Sequence, residues 1–379
     1  MSKSPVIIFN SLLLPPSQTF IRAQGEKLQD FTAYYLGSRR VPGLSLPEER
    51  TFVLNPGNVL GKVAETTFKL TGYSPRLYQK IKQLQPALIH AQFGLSGALM
   101  LSTARSLNLP LIVHFRGADA TIREEHARYA SLNHWFYFRK QDTLKQQTQL
   151  FLTVSKFIRD KLLEQGFPPE KVVAHYHGVD INEFQSDRSL TRQPVVLFVG
   201  RLTEKKGCRY LIEAIARMQS VRPETKLVLI GDGPLREPLE VQAAASLTHY
   251  SFLGTQPPEV VRQWMNRASV LAAPSVTSKQ GDSEGLPNVV LEAQAMALPV
   301  VGTYHAGIPE AVIHGETGFL VPEKDDEALA AYSLQLLERS ELWQKFSDRG
   351  REHVAAHFDR DRQTRRLESI YKQVLENKC

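Results

Sequence analysis

Short apolar runs alternate with segments of helical periodicity along most of the chain, and this alternation restricts the fold more than any other feature. The runs are rich in Val, Ile and Leu: "PVIIF", "ALIHA", "PLIVHF", "LFLTV", "KVVAHY", "PVVLFVG", "KLVLIG", "YSFLG", "VLAAPS" and "LPVVGT". Strands of this kind, separated by helices, are typical of a parallel sheet with helices on both faces. The sequence therefore predicts an α/β protein.

The apolar runs fall into two series, which the polar stretch "DINEFQSDRSLTRQP" separates at residues 180–194. This stretch has little apolar periodicity and ends in a proline, which is typical of a linker. A length of 379 residues also favours two domains. We predict two doubly wound, Rossmann-like domains at residues 1–185 and 186–358, and a C-terminal helix at residues 359–379 that packs back on the first domain. Because ligands of such folds bind at the carboxyl ends of the strands, the two sheets are expected to face each other across a cleft.

Cysteine usage and hydropathy indicate the compartment. The two cysteines, Cys208 and Cys379, are far apart and lack metal-like spacing, so the sequence suggests neither a disulfide framework nor a zinc site. The chain has no run of eighteen apolar residues and no signal-peptide pattern in its first thirty residues. A soluble, cytoplasmic protein is expected.

Positive charge is concentrated in the first half of the chain. The net charge is +7, and residues 1–190 carry 23 Lys plus Arg against 15 Asp plus Glu, which gives +8. Such a half favours an anionic partner, such as nucleic acid, phospholipid or a phosphorylated substrate, although solvated surface charge gives the same pattern. The stretch "GKVAETTFKLTGYSPRLYQKIKQL" at residues 61–84 interleaves basic and apolar residues. It is typical either of a helix on the inner face of an anionic membrane or of a core-packed helix with a basic outer face.

Two glutamates flank a predicted loop-to-helix junction in "GDSEGLPNVVLEAQAMALPVV", residues 281–301. A helix is expected to begin near Pro287, with Glu284 in the preceding loop and Glu292 in the second turn. The free amides of the first turn, supported by the helix dipole, would form an anion site. A phosphate flanked by carboxylates suits a nucleotide sugar, whose hydroxyls can donate to both. The alternative is a surface glutamate next to a helix cap.

A second charged cluster follows a strand in "VVLFVGRLTEKKGCRYLIEAIARM", residues 195–218. Arg201 and Lys206 lie between the predicted strand and an amphipathic helix. Cations at the carboxyl end of a strand can neutralise a diphosphate without a metal ion. The two clusters therefore predict a diphosphate site in the second domain.

The combination of "FVGRLTEKKG", "LIGDGPL", "FLG", "PS", "EGLPNVVLEAQAMALPVV" and "HAGIPEAVIHGETGFLV" resembles the C-terminal domain of glycosyltransferase family 4, the retaining enzymes of GT-B fold, over about residues 195–322. In the first half, "PSQTFIRAQGEKL", "LIHAQFG" and "HFRGADA" are similar to the branch that builds exopolysaccharide and colanic-acid-like repeat units. The resemblance implies a GT-B protein with catalytic and donor-binding residues in its second domain.

For the second domain, the resemblance implies that Arg201 and Lys206 hold the donor diphosphate, Glu284 the donor sugar and Glu292 the ribose. It also assigns to donor binding the loop residues Gly285, Leu286, Pro287 and Asn288.

The first domain departs from the family pattern. Many relatives carry His-Gly-x-Asp, whose histidine approaches the reacting sugar, whereas here the element begins at Arg116 and ends at Asp119. Either Arg116 or His114 takes the catalytic role of that histidine, or His114 is a core histidine; Arg116 is slightly favoured, and Asp119 is assigned to donor binding. Gln92 stands where relatives often have a second histidine, and the N-terminal glycine pair of many relatives is missing.

The predicted activity is that of a hexosyltransferase, which moves a hexose from a UDP- or GDP-linked sugar to a hydroxyl of a saccharide or polyprenyl-linked acceptor, with retention and without metal or cofactor. A sugar-nucleotide epimerase of GT-B architecture is the alternative, but it needs acid and base groups that we cannot identify. A nicotinamide dehydrogenase needs a Gly-x-Gly-x-x-Gly turn that "VIIFNSLLLPP" lacks. A nucleic-acid partner is not expected, because it would leave the two charged clusters without a purpose.

Overall fold

The computed structural model describes residues 3–15, 18–122, 132–187 and 189–377. The chain forms two compact units: unit 1 comprises Met1–Gly178 and Arg360–Cys379, and unit 2 comprises Val179–Asp359. Residues 16 and 17, which begin the motif "PSQTFIRAQGEKL", lie outside the described residues, and so does Cys379.

The divisions between the units differ from the predicted boundaries after residues 185 and 358. The first lies after Gly178, because the predicted linker is attached to unit 2 rather than suspended between domains. Glu183 forms an ion pair with Arg262 at 2.7 Å, and the carbonyl oxygen of Phe184 accepts a hydrogen bond from Arg351 at 3.2 Å. The polar stretch predicted as a linker is therefore a surface segment that is attached to unit 2.

The described part of unit 1 contains an eight-stranded parallel sheet with the order β2-β3-β1-β5-β6-β7-β8, in which β4 pairs with β3. Elements are numbered along the whole chain. The strands are β1 Ser4–Phe9, β2 Leu12–Leu13, β3 Phe31–Arg40, β4 Thr51–Asn55, β5 Leu88–Gln92, β6 Leu111–Phe115, β7 Leu150–Thr153 and β8 Val172–Ala174. The helices are α1 Thr19–Glu26, α2 Val59–Thr71, α3 Pro75–Leu84, α4 Gly94–Ser106, α5 Ala118–Thr121, α6 Leu132–Gln147, α7 Lys156–Glu164 and, after unit 2, α15 Arg360–Glu376.

The basic stretch at residues 61–84 is not one helix, as the sequence suggested, but the two helices α2 and α3. Gly72 ends α2 in the left-handed conformation at φ 70°, which favours glycine. The hydroxyl of Ser74 then accepts a hydrogen bond from the amide of Leu77, and Pro75 occupies the first turn of α3. The local signals for a break were therefore present in "TGYSP".

Helix α15 is attached to unit 1 by buried polar contacts. The carboxylate of Glu368 accepts hydrogen bonds from the amides of Gln29 and Asp30, each at 2.7 Å. The hydroxyl of Tyr371 lies 2.6 Å from Nδ1 of His90, and both side chains are fully buried. Through these contacts, α15 packs as part of the core of unit 1.

The described part of unit 2 contains a six-stranded parallel sheet with the order β11-β10-β9-β12-β13-β14. Its strands are β9 Val195–Val199, β10 Lys226–Ile230, β11 Tyr250–Phe252, β12 Val270–Ala273, β13 Val300–Thr303 and β14 Gly318–Val321. Its helices are α8 Cys208–Val221, α9 Arg236–Ser246, α10 Pro258–Arg267, α11 Asn288–Ala295, α12 Ile308–Ala311, α13 Asp326–Glu338 and α14 Ser340–His357. None of the helices within the described ranges is both long and apolar enough to cross a membrane.

Candidate active site

In unit 2, the loops that follow β9 and β12 meet because β9 and β12 are neighbours in the sheet. Gly207, which precedes α8, has φ 66°, and a Cβ atom there would lie 1.8 Å from the carbonyl oxygen of Pro274. Only glycine fits this close approach. The amide of Val276 donates a further hydrogen bond to the carbonyl oxygen of Lys205 at 2.8 Å. The two charged clusters predicted from sequence are thereby brought together.

Lys206 and Glu284, two predicted site residues, form an ion pair with Nζ 3.0 Å from Oε1, and both side chains are largely buried. Burial raises the pKa of Glu284, but the charges of Lys206 and Lys205 outweigh burial and leave the pKa below its ordinary value. Glu284 is therefore ionised at neutral pH. The opposite charges of the two groups neutralise each other.

The loop that carries Glu284 is held by Lys205, a residue that sequence analysis did not single out. Its ammonium group lies 3.0 Å from a carboxylate oxygen of Asp282 and donates a longer hydrogen bond of 3.4 Å to the carbonyl oxygen of Ser283. This contact fixes the loop just before Glu284.

A second support for this loop involves His305, which follows β13. Its Nε2 accepts a hydrogen bond from the amide of Glu284 at 3.1 Å, so Nδ1 carries the ring proton and donates to Glu323 at 2.6 Å. The same carboxylate accepts from the amide and hydroxyl of Thr277, at 3.0 and 3.1 Å. Burial raises the pKa of Glu323, but hydrogen bonds from Thr277 and His305 outweigh it and lower the pKa. The motif "HAGIPE" contained His305, but only the fold connects it with Glu284.

Glu292 lies in the second turn of α11, as predicted. Burial, reinforced by the charge of Glu183, raises the pKa of Glu292 to about 7, although Arg262 acts in the opposite direction. Glu292 therefore titrates closer to neutral pH than an ordinary glutamate does.

The remaining predicted donor-binding residues surround the start of α11. Gly285, Leu286 and Pro287 are buried, and Asn288 begins the helix. Pro287 has no N–H group and cannot donate to a phosphate, whereas the first amides of α11 lack acceptors within the helix. Arg201 is exposed, and its guanidinium forms no hydrogen bond or ion pair with any residue that the structure describes.

In unit 1, Arg116 and His114 meet at the carboxyl end of β6. Nη2 of Arg116 lies 3.2 Å from Nδ1 of His114, while Nε and Nη2 donate to Oε1 of Gln92 at 2.9 and 2.6 Å. Gln92 lies on the neighbouring strand β5, in register with His114. Asp119 is turned towards the backbone: its carboxylate accepts from the amides of Gly94, Arg116 and Gly117, each at 3.0 Å.

Three further histidines lie around His114, and sequence analysis named none of them. The rings of His90 and His175 lie 5.4 and 5.8 Å from the ring of His114, and His177 is also buried. Burial lowers the pKa of His114 well below its ordinary value, and the charge of Arg116 lowers it further. His90 lies in β5, His114 lies in β6, and His175 and His177 both follow β8.

Two family profiles match the chain, one in each unit. The profile described as "Glycosyltransferase Family 4" matches residues 35–183, and "Glycosyl transferases group 1" matches residues 193–339. The amylovoran biosynthesis glycosyltransferase AmsK of Erwinia amylovora is 31% identical over 323 residues, covering 76% of this chain and 77% of AmsK. The chain belongs to glycosyltransferase family 4. The putative colanic acid biosynthesis glycosyltransferase WcaL of Salmonella typhimurium is 33% identical over 297 residues, 75% of this chain and 70% of WcaL.

Solved structures resemble this family 4 glycosyltransferase over nearly its whole length. HepE of Anabaena in complex with UDP and glucose has a TM-score of 0.78 at 20% identity, covering 98% of this chain and 100% of HepE. Sucrose-phosphate synthase of Thermosynechococcus elongatus has a TM-score of 0.77 at 20% identity, covering 99% and 100% of the two chains. The predicted GT-B fold class, with two parallel-sheet α/β domains, is confirmed. The epimerase alternative has no support in these comparisons.

Proposed function

We propose that this glycosyltransferase moves a hexose from a nucleoside diphosphate sugar to a hydroxyl of a saccharide or polyprenyl-linked saccharide, with retention at the anomeric carbon. The observation that carries the proposal is the Lys206–Glu284 pair, buried where the loops after β9 and β12 meet. It supplies a cation for a diphosphate and an ionised acceptor for sugar hydroxyls. AmsK and WcaL, named for amylovoran and colanic acid biosynthesis, support an acceptor in exopolysaccharide synthesis.

The donor proposed is UDP- or GDP-linked. HepE was solved with UDP and glucose, which supports a nucleotide sugar. Lys206 and the exposed Arg201 would hold the diphosphate together with the first amides of α11, and Glu292 would accept the ribose hydroxyls. When a diphosphate enters, it competes with Glu284 for Lys206, which leaves Glu284 available to the sugar.

In the proposed reaction, the bond from the anomeric carbon to the β-phosphate oxygen breaks, and a bond to the acceptor oxygen forms on the same face. The departing phosphate takes the acceptor proton. Negative charge grows on this phosphate in the transition state, so fixed positive groups stabilise it more than the ground state. We assign that charge to Arg201, Lys206 and the α11 amides rather than to a divalent ion.

We further propose that unit 1 docks reversibly on an anionic membrane through α2 and α3. Val59, Leu60 and Val63 of α2 are 75%, 71% and 60% exposed. Exposed basic residues, Lys62, Arg76 and Lys82, belong to the same two helices. Lys69 contributes less, because it forms an ion pair with Glu65 at 2.5 Å. Exposed apolar and basic side chains on one helix pair favour a bilayer surface.

The test of the transferase proposal is acceptor-dependent release of nucleoside diphosphate. A panel of UDP- and GDP-sugars is incubated with the enzyme and candidate acceptors in excess chelator, and the anomeric configuration of the product is read by NMR. We expect release only with an acceptor, a retained configuration and no requirement for magnesium or manganese. Release that ignores the acceptor, or activity that returns only with metal, would contradict the proposal.

A further inference from the structure

Arg116 is a buried cation whose donors are incompletely used. The side chain is only 9% exposed, and its Nη1 atom is buried without a hydrogen-bond partner. Its other contacts, with Gln92 and His114, are to uncharged groups. Among the described residues, no carboxylate forms an ion pair with it. Burial lowers the pKa of Arg116 only to about 9, so the guanidinium is charged at neutral pH.

The charge of Asp119 raises the pKa of Arg116 and so favours the charged guanidinium, but burial outweighs this effect. Burial lowers the pKa of His175 and of His177 to about 3, so both rings are neutral. The carboxylate of Asp119 is turned towards three backbone amides. The ring of Phe20 lies 4.6 Å from the guanidinium carbon. A buried charge without a directly bound counter-ion is unfavourable, and an ionic ligand relieves this cost.

Two histidines next to Arg116 also have unused ring nitrogens. Because a guanidinium only donates, Nδ1 of His114 accepts, and Nε2 of His114 carries the ring proton. That Nε2 is buried without a partner, and so are both ring nitrogens of His177, whose ring lies 5.1 Å from Phe20. No group of three or more His, Cys, Asp or Glu within the described ranges is placed to hold a metal ion. Hydrogen-bond donors that lack acceptors, such as Nη1 of Arg116 and Nε2 of His114, suit an anionic ligand rather than a metal ion.

We propose that the Arg116 cluster, composed of Arg116, Gln92, His114 and His177, is an oxyanion site for a carboxylate or phosphate group of a substrate. The inference rests on the proposed function, because it assumes a donor and an acceptor substrate. It states that one of these two carries a negative group in addition to the donor diphosphate. A guanidinium fork binds either group through two parallel hydrogen bonds. The group belongs either to a uronic acid donor sugar or to the phosphate of a lipid-linked acceptor.

Anion binding is tested on the full chain by thermal shift with potassium phosphate and with D-glucuronate, at constant ionic strength and about pH 8, where all four histidines are neutral. D-glucose is the neutral control. We expect both anions to stabilise the wild-type protein, and R116Q to weaken the apparent affinity at least about tenfold. Arg105→Gln, which removes an exposed arginine of unit 1 outside α2 and α3, should behave like wild type. No response in the wild-type protein, an undiminished response in R116Q, or failure of both R116Q and R116M to fold would overturn the proposal.

Two matched pairs of ligands identify the source of the anion. A preference for UDP-glucuronate over UDP-glucose that disappears in R116Q assigns the site to the donor sugar. A preference for farnesyl phosphate over farnesol, measured with UDP present and lost in R116Q, assigns it to the acceptor. If neither pair differs in an Arg116-dependent way, the proposal is overturned. The proposed function alone would be refuted by a different result: the wild-type protein shows no turnover with any donor, while Lys206→Met still binds the anions in a way that depends on Arg116.

Discussion

In unit 2 the ammonium group of Lys206 lies 3.0 Å from the carboxylate of Glu284, whereas in unit 1 the guanidinium of Arg116 has only neutral side-chain partners among the described residues. Both cations follow the carboxyl end of a parallel strand. The first is neutralised by the protein and must exchange its partner to bind an anion. The second retains its charge and needs no exchange. The two units therefore prepare for anionic ligands in different ways, and single substitutions can separate them.

The largest effect is expected from breaking the neutralised pair. Lys206→Ala and Glu284→Ala should each reduce turnover roughly a hundredfold or more, because one preorganised charged contact is lost. Each change also leaves a buried charge without its partner, at a cost of about 3 to 5 kcal/mol in the free energy of unfolding. Steady-state kinetics and urea denaturation measure the two effects.

A double variant sharpens this test. Lys206→Met with Glu284→Gln removes both charges, so it should recover most of the lost stability but none of the lost turnover. Lys279→Ala, in an exposed position of the same unit, is the control. Near wild-type turnover in either single variant would show that the assigned roles are wrong.

A smaller effect is expected at His305, which positions Glu284 through the backbone. His305→Ala removes the acceptor of the Glu284 amide and should lower kcat about tenfold, since small displacements of a reacting geometry are costly. The KM for the donor should change less. Glu323→Gln should produce an intermediate loss, because its amide can still accept from the imidazole. His249→Ala, at an exposed position, serves as control. If the loss of kcat in His305→Ala were accounted for by a smaller folded fraction, His305 would have a structural role only.

Glu292 should make donor binding depend on pH. Its pKa is raised to about 7, so protonation is favoured in the folded state and the ionised acceptor forms only as pH rises through 7. Donor affinity should increase between about pH 6 and 8 in the wild-type protein and remain flat in Glu292→Gln. The folded state loses stability from this group as pH rises, so Glu292→Gln should gain up to about 3 kcal/mol relative to wild type at alkaline pH. Calorimetric titration and denaturation at matched pH values check both; a flat wild-type affinity would contradict the assignment.

The smallest effect per residue concerns the basic surface of unit 1. Each lysine or arginine near an anionic bilayer contributes on the order of 1 kcal/mol, and salt weakens it. The exposed apolar side chains of α2 are expected to add to this attraction by insertion into the bilayer. Replacing Val59, Leu60 and Val63 together by serine should therefore reduce co-sedimentation with anionic vesicles, whereas Val241→Ser, at an exposed position of unit 2, should not. Binding that ignored both lipid charge and salt would favour a soluble acceptor.

Sequence reasoning succeeded where the signal was local. The strand, loop and helix around Arg201 and Lys206 follow from apolar runs and glycine positions, and so does the position of Glu292 in the second turn of α11. It failed where distant residues meet. The pattern placed the clusters of Lys206 and Glu284 in one diphosphate site, but it did not predict their ion pair or the contact of His305 with Glu284, because strand order in the sheet decides those contacts. The break at Gly72 is different, because Gly72, Ser74 and Pro75 are themselves local signals for the end of one helix and the start of another.

Unit 1 is interrupted by unit 2, whose two ends lie side by side: the amide of Val179 donates to the carbonyl oxygen of Phe358 at 2.9 Å. During synthesis, every residue of unit 2 therefore leaves the ribosome before α15, which supplies the buried Glu368 and Tyr371 to unit 1. Domains usually fold in the order of synthesis. In this chain, the unit that begins first is the last to be complete, and a chain truncated after Asp359 should show a protease-resistant unit 2 beside a cleavable unit 1.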